Sequence, residues 1–208
     1  LGIPMLTATH SRYVIDLNRR PDGATLYSGA DNTELCPTTT FEREAIYVGD
    51  GPDEAEIAER VDAYSKPYHN KLRETLDDMV ARHGVAVLIE GHSIQSHVPR
   101  FFDGKLPDLN LGTANGESAD ADLAAQVMSV FKDDGNYTSV LNGRFTGGYI
   151  TRHFGEPDNG IHALQLEMAQ CCYMDEESPF PFRADLAGGV QPVIAKMLET
   201  ALAWARAR

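Results

Sequence analysis

Residues Val85-Ala86-Val87-Leu88-Ile89 form a short apolar run, partly β-branched and entered from Gly84. Glu90-Gly91-His92-Ser93 then end it in an acid, a glycine, an imidazole and a hydroxyl. Such a run predicts a strand buried on both faces of a sheet. In open α/β sheets, ligands bind outside the carboxyl ends of strands, where loops raise polar groups above an apolar floor. His92 at such a tip is a candidate ligand or acid/base group; the plainer reading is an imidazole hydrogen-bonded at a strand end.

The flanking pattern alternates strand and helix, which predicts an α/β layered sheet. Strands are expected over 3–9 and 13–17, followed by the turn Pro21-Asp22-Gly23, in which proline presets φ and glycine takes a positive φ. Residues 28–52 read as an irregular loop. Pro52-Asp53-Glu54 opens a helix with acids in its first turn and Ile57, Val61 and Tyr64 at helical spacing. Pro67 is expected to interrupt it, before a second stripe of Tyr68, Leu72, Leu76, Met79 and Val80 that ends at His83-Gly84. His69 on this helix reads as a supporting or surface residue.

Residues 95–116, with His97, read as loop. Ser118 is expected to cap a helix with Leu123, Val127, Val130 and Phe131 on its core face, closed by Gly135. A short strand is expected over 138–141, a strand over 161–168, a turn region over 179–182 and a helix over 187–207. The last carries Val190, Ile194, Met197, Leu198, Ala201 and Leu202 on one face.

Two further stretches carry chemistry. In Asn142-Gly143-Arg144-Phe145-Thr146-Gly147-Gly148-Tyr149-Ile150-Thr151-Arg152-His153, glycines allow close backbone approach to a ligand and two arginines suit anion recognition. Alternation over 161–168 places His162, Leu164 and Leu166 on one face and Ala163, Gln165 and Glu167 on the other. A carboxylate so placed must be solvated, paired or catalytic. Asn18-Arg19, at a strand exit, offers a planar grip on a carboxylate; a solvated loop arginine is the bland alternative.

The formal net charge of −13 disfavours nucleic acid and anionic membranes as partners. It leaves room for a small anionic substrate held by a local arginine cluster. Cys36, Cys171 and Cys172 lack the C-x-x-C spacing of a zinc site and read as reduced thiols of a cytoplasmic protein. No apolar run is long enough to span a bilayer. One domain over 1–208 suffices. The opening Leu1-Gly2-Ile3-Pro4, without Met, leads us to expect residues upstream.

Ser11-Arg12-Tyr13-Val14-Ile15-Asp16-Leu17-Asn18-Arg19, Glu90-Gly91-His92-Ser93, the Asn142–Arg152 glycine-arginine stretch and Gln165-Leu166-Glu167 together resemble the N-formylglutamate amidohydrolase family over nearly the whole chain. The resemblance implies a three-layer αβα fold with a central mixed β-sheet, similar to zinc carboxypeptidases and aspartoacylases, and one catalytic Zn2+. It implies hydrolysis of N-formyl-L-glutamate to formate and glutamate, a step of histidine degradation. His92 would be a metal ligand, with the remaining ligands expected upstream of Leu1. Glu167 would be the general base. Arg19 would assist catalysis beside Asn18, and Asn18, Arg144, Arg152 and Gln165 would hold substrate. Glu90 stands where the family pattern leads one to expect Asp, and reads as a group orienting His92. Two alternatives stay open: hydrolysis of another N-acyl amino acid or peptide-like amide, and a metal-free anion-binding paralogue.

Overall fold

The computed structural model describes residues 2–25 and 31–208, so the first three residues of the predicted 28–52 loop lie outside the described residues. The chain forms two compact units, Leu1–Asp78 and Met79–Arg208, the division falling within one helix.

In the first unit the strands expected over 3–9 and 13–17 do not form. Residues 2–13 are exposed and meet no strand partner among the described residues, and β propensity without a ladder does not hold a strand. Ile15 packs instead with Leu35 and Cys36, flanked by Ile57, Val61 and Tyr64. The Pro21-Asp22-Gly23 turn is present, with Gly23 at φ 72° and its N–H donating to the Arg20 carbonyl at 3.0 Å. Asp53 caps α1 (Glu54–Arg60) by accepting from the Glu56 N–H. A π-helical turn, Val61–Ser65, leads into α2 (Lys66–His83), so Pro67 does not break the helix as expected. Proline lacks the amide hydrogen and crowds the carbonyl four residues back; the wider π turn just before it relieves that conflict.

The second unit is built on β1 (Ala86–Ile94), β2 (Leu109–Gly112), β3 (Ser139–Leu141) and β4 (Ile161–Ala169). They form a mixed sheet in the order β1-β4-β2-β3. β1 and β4 are parallel, β2 and β4 antiparallel, and β2 and β3 parallel. The run at 85–89 is thus not a fully buried central strand. Among the described residues β1 is an edge of this sheet, half-buried along much of its length, and it continues through Glu90 and His92 to Ile94. The strand buried on both faces is β4.

α3 (Ala121–Asp134), α4 (Tyr149–Phe154) and α5 (Ala184–Arg206) complete the unit. Leu123, Val127 and Phe131 of α3 and Val190, Met197 and Trp204 of α5 pack with Leu109, Leu111, Leu164 and Leu166 in one core. Each large apolar side chain buried there contributes about 1.5–3 kcal/mol. The cap of α3 is Asp120, which accepts from the Asp122 N–H; Ser118 instead donates its hydroxyl to the Ala163 carbonyl at 2.8 Å. Gly135 ends α3 in the left-handed conformation, as expected.

His162 lies on this apolar side, edge-on to Trp204, with Nδ1 accepting the Asp120 N–H at 3.1 Å. An accepting Nδ1 must lack a proton. Burial, helped by Arg208, outweighs the pull of Asp120 and holds the imidazole below its ordinary range. Its folded-state value is depressed, so its stabilising contribution is complete above about pH 6.5, the unfolded value. That contribution is lost as the pH falls through the folded value. Urea midpoints measured against pH are therefore expected to fall more steeply on acidification in the parent protein than in His162→Gln.

Gly112 sets how closely the 142–148 loop approaches the sheet. A Cβ at position 112 would lie 2.7 Å from the Gly147 nitrogen and 2.7 Å from the Thr146 carbonyl carbon. Gly112→Ala is expected to lower stability by about 1–3 kcal/mol in urea titration, the usual cost of overpacking.

Candidate active site

Residues paired across a ladder present their side chains on the same face. The β1–β4 register pairs Glu90 with Gln165 and His92 with Glu167, and β2 places Asn110 opposite Glu167. Five polar side chains therefore gather on the face away from the apolar core. The same alternation that sends Leu164 and Leu166 inward sends Gln165 and Glu167 here.

Glu90 is buried, and its two oxygens serve different partners. Oε1 lies 2.6 Å from His92 Nε2, and Oε2 accepts the Thr151 hydroxyl at 2.9 Å. A carboxylate behind an imidazole fixes its tautomer and orientation. Thr151, fully buried, comes from α4 and thereby joins that helix to β1. Glu167 is likewise buried, with the Gln165 Nε2 at 3.5 Å from its Oε2. Gln165 turns its Oε1 to the Gly148 N–H at 2.6 Å, so one amide brackets both the loop and the neighbouring acid. Asn110 donates from Nδ2 to the carbonyls of Pro107 at 2.7 Å and Glu167 at 3.0 Å. Two carbonyls facing Nδ2 set the orientation of that amide.

The 142–148 loop is held from both sides. Asn142, at φ 51°, accepts from the Thr113 N–H and donates to the Thr113 hydroxyl, each at 2.8 Å. The Ala114 N–H donates to the Thr146 carbonyl at 2.6 Å. Arg152 sits in α4 and donates from Nε to the Gly147 carbonyl and from Nη2 to the Thr146 hydroxyl, at 2.9 and 2.7 Å. Arg144 donates from Nε to the Phe101 carbonyl at 2.6 Å, its guanidinium over the Phe145 ring. Both predicted anion grips thus also brace this loop, Arg152 from α4 and Arg144 by tying it to Phe101.

Of the residues singled out in the sequence, His92, Gln165 and Glu167 meet on one face, with Arg152 and Arg144 on the adjoining loop and helix. Asn18 and Arg19 belong to the first unit. There Arg19 donates to the Thr33 carbonyl, the Thr33 hydroxyl and the Asn18 carbonyl at 3.1, 2.7 and 2.9 Å. Buried Asp16 accepts the Asn18 N–H at 3.0 Å and pairs with Arg12 at 2.9 Å. Thr151 and Asn110 were missed. Asn110 lies in a strand read as loop, and nothing in the Gly-Gly-Tyr-Ile-Thr string shows that its threonine reaches an acid in β1.

The donor chemistry of a metal centre is met in part. An imidazole with a buried carboxylate at Nε2 suits a metal ligand binding through Nδ1. Among the described residues, however, the group of three metal-capable side chains that converge is Asp108, Cys171 and Cys172, which does not include His92.

A buried acid beside an oriented imidazole, on a mixed α/β sheet, is equipment for hydrolysis by general acid/base catalysis. Comparison with known proteins narrows the class. The profile of the N-formylglutamate amidohydrolase family matches residues 1–174. The chain is 49% identical over 209 residues to an N-formylglutamate deformylase of Pseudomonas aeruginosa, covering all of this chain and 78% of that protein. It is 47% identical over 209 residues to an N-formylglutamate deformylase of Pseudomonas putida, with the same coverage. In fold it is similar to the crystal structure of an N-formylglutamate amidohydrolase from Ralstonia eutropha, with TM-score 0.79 and 22% identity over 95% of this chain and 76% of that one. A gene product of Agrobacterium tumefaciens is also similar, with TM-score 0.62 and 19% identity over 91% and 68% of the two chains. The chain belongs to the N-formylglutamate amidohydrolase family, hydrolases acting on a linear amide.

Thr151→Val leaves a buried carboxylate oxygen of Glu90 without its hydroxyl donor. The expected loss in urea titration is about 1–3 kcal/mol, with Thr151→Ser recovering most of it.

Proposed function

We propose that this protein hydrolyses N-formyl-L-glutamate to formate and L-glutamate. The observation that carries the reading is the pairing of His92 with Glu167 across β1 and β4 in a chain whose whole length aligns with 78% of its deformylase relatives. Water attacks the formyl carbon, the C–N bond breaks, and the amine leaves with a proton. Glu167 is the general base: its carboxylate takes the proton of the attacking water and passes it to the leaving nitrogen. Gln165 holds Glu167 in line and keeps the Gly148 amide against the sheet. Glu90, fixed by Thr151, orients His92.

Zinc, when bound, supplies a Lewis acid for the formyl oxygen and lowers the pKa of water. His92 would be one of its ligands. Arg144 and Arg152 hold the two substrate carboxylates, each charge-assisted hydrogen bond contributing about 1.5–3 kcal/mol. Asn18 and Arg19 bind a carboxylate or the developing oxyanion. We read the sheet and helices as the three-layer, zinc-carboxypeptidase-like arrangement, acting in the cytoplasm. No helix of the described residues is long and apolar enough to cross a membrane, and the three cysteines are unpaired.

A second reading, hydrolysis of another N-acyl amino acid, rests on the two arginines being engaged with loop atoms, which leaves the shape of the anion they select open to variation.

Formate release is the test. N-formyl-L-glutamate is expected to be hydrolysed, with activity lost to a chelator and restored by zinc. Glu167→Gln is expected to lower kcat by roughly 100- to 10,000-fold, the usual contribution of a general base, with KM little changed. Arg144→Lys is expected to raise KM more than it lowers kcat. A zinc-loaded protein that leaves N-formyl-L-glutamate intact but cleaves another N-acyl amino acid would replace the first reading with the second.

A further inference from the structure

Asp108, Cys171 and Cys172 lie beside the sheet, away from the polar face that carries His92 and Glu167. Asp108 immediately precedes β2. The two cysteines occupy a 3-10 turn, Gln170–Cys172, immediately after β4. The sulfurs adjoin the α3–α5 core: Cys172 is part of it and Cys171 packs against it. We propose that these three side chains bind one thiophilic divalent cation of the zinc or cadmium kind.

The geometry supports convergence on a single point. One ligand atom from each residue lies within 4.8 Å of the others. Cys171 Sγ is 4.0 Å from Asp108 Oδ1, and Cys172 Sγ is 3.9 Å from the Asp108 carbonyl. Ligands of a tetrahedral zinc with such atoms stand roughly 3.6–3.8 Å apart, so closing on an ion needs a contraction of about 1 Å.

The carboxylate is already positioned for the role. Its Oδ2 accepts both the Thr138 N–H at 2.9 Å and the Thr138 hydroxyl at 2.7 Å, which turns Oδ1 toward Cys171 and Lys105. Such outer partners orient a metal-binding carboxylate. Burial works against the Asp108 anion, yet the Thr138 donors and Lys105 outweigh it and hold the carboxyl below its usual range. Lys105 stands 3.3 Å from Oδ1 on a half-exposed side chain that can swing aside.

The thiols select the kind of ion. Burial, reinforced by Asp108, pushes Cys172 up to about 12, and burial raises Cys171 as well. Both are therefore protonated near neutral pH, and an ion must displace their protons to bind. Ions that bond strongly to thiolate can do so; magnesium and calcium, which prefer oxygen, cannot. Adjacent ligands at the exit of β4 and a third at the entry of β2 would staple two neighbouring strands.

The experiment is a Cd2+ titration of the reduced protein, following thiolate-to-cadmium charge-transfer absorbance and proton release near neutral pH. The expected result is one sulfur-bound Cd2+ per chain with about two protons released, both reversed when excess chelator removes the ion. Cys171→Ser and Cys172→Ser should each remove most of the band, and Cys36→Ser should leave it intact. Asp108→Asn should weaken binding by at least about 10-fold, the lower end of what an outer-shell loss costs a metal site. The sulfur band is blind to an ion held by nitrogen and oxygen at His92, so its outcome is independent of the proposed catalytic metal. Absence of the band at saturating Cd2+ in the parent protein would overturn the proposal. So would a band that follows Cys36, or undiminished affinity in Asp108→Asn.

Discussion

Everything on the polar face follows from the register between β1 and β4. Because the two strands run parallel with Glu90 beside Gln165 and His92 beside Glu167, two buried carboxylates, an imidazole and an amide are brought together by strands otherwise occupied with a hydrophobic core. A slip of one residue would send Leu164 and Leu166 to the polar side and Gln165 and Glu167 into the α3–α5 core, so the apolar face enforces the arrangement of the polar one. Buried charge is tolerated where it is met by hydrogen bonds. Glu90 has His92 and Thr151, and Gln165 turns its amide toward Glu167.

The loop and helix that follow β3 are drawn into the same arrangement. Gly112 has no side chain opposite Gln165, which lets Thr146 and Gly147 lie against β2. Gly148 then reaches Gln165, and α4 starts at the next residue, so that Thr151 arrives at Glu90 and Arg152 folds back on the loop. Backbone approach, amide bracket and hydroxyl are successive steps of one chain path. Of the arginines read as anion grips, Arg152 is therefore held in place by this loop, and Arg144 by the Phe101 carbonyl.

Much of this was legible from residue order. Period-2 alternation placed Gln165 and Glu167 on one face, helical stripes gave α3 and α5, and the abrupt end of an apolar run pointed to His92. Other features were hidden, for identifiable reasons. Leu109-Asn110-Leu111-Gly112 is too short and too flanked by proline and glycine to read as a strand, yet it lies within the sheet because β3 and β4 supply its hydrogen bonds on either side. The converse holds for residues 3–9 and 13–17, strand-like in composition but without a ladder among the described residues. Ser118 and Asp120 are both competent caps, and tertiary bonding decided between them: the Ser118 hydroxyl is committed to the Ala163 carbonyl. Thr151 could not be read at all, because its partner Glu90 lies 61 residues away along the chain.

The central claim is that substrate chemistry takes place on the His92–Glu167 face and not on the apolar one. Imidazole NMR signals of His92 and His162 report on the two sides of the same sheet. Titration with L-glutamate, the product of the proposed reaction, is predicted to move the His92 resonances and leave those of His162 unchanged. Movement of His162 with His92 unmoved, or of neither at saturation, would contradict the account.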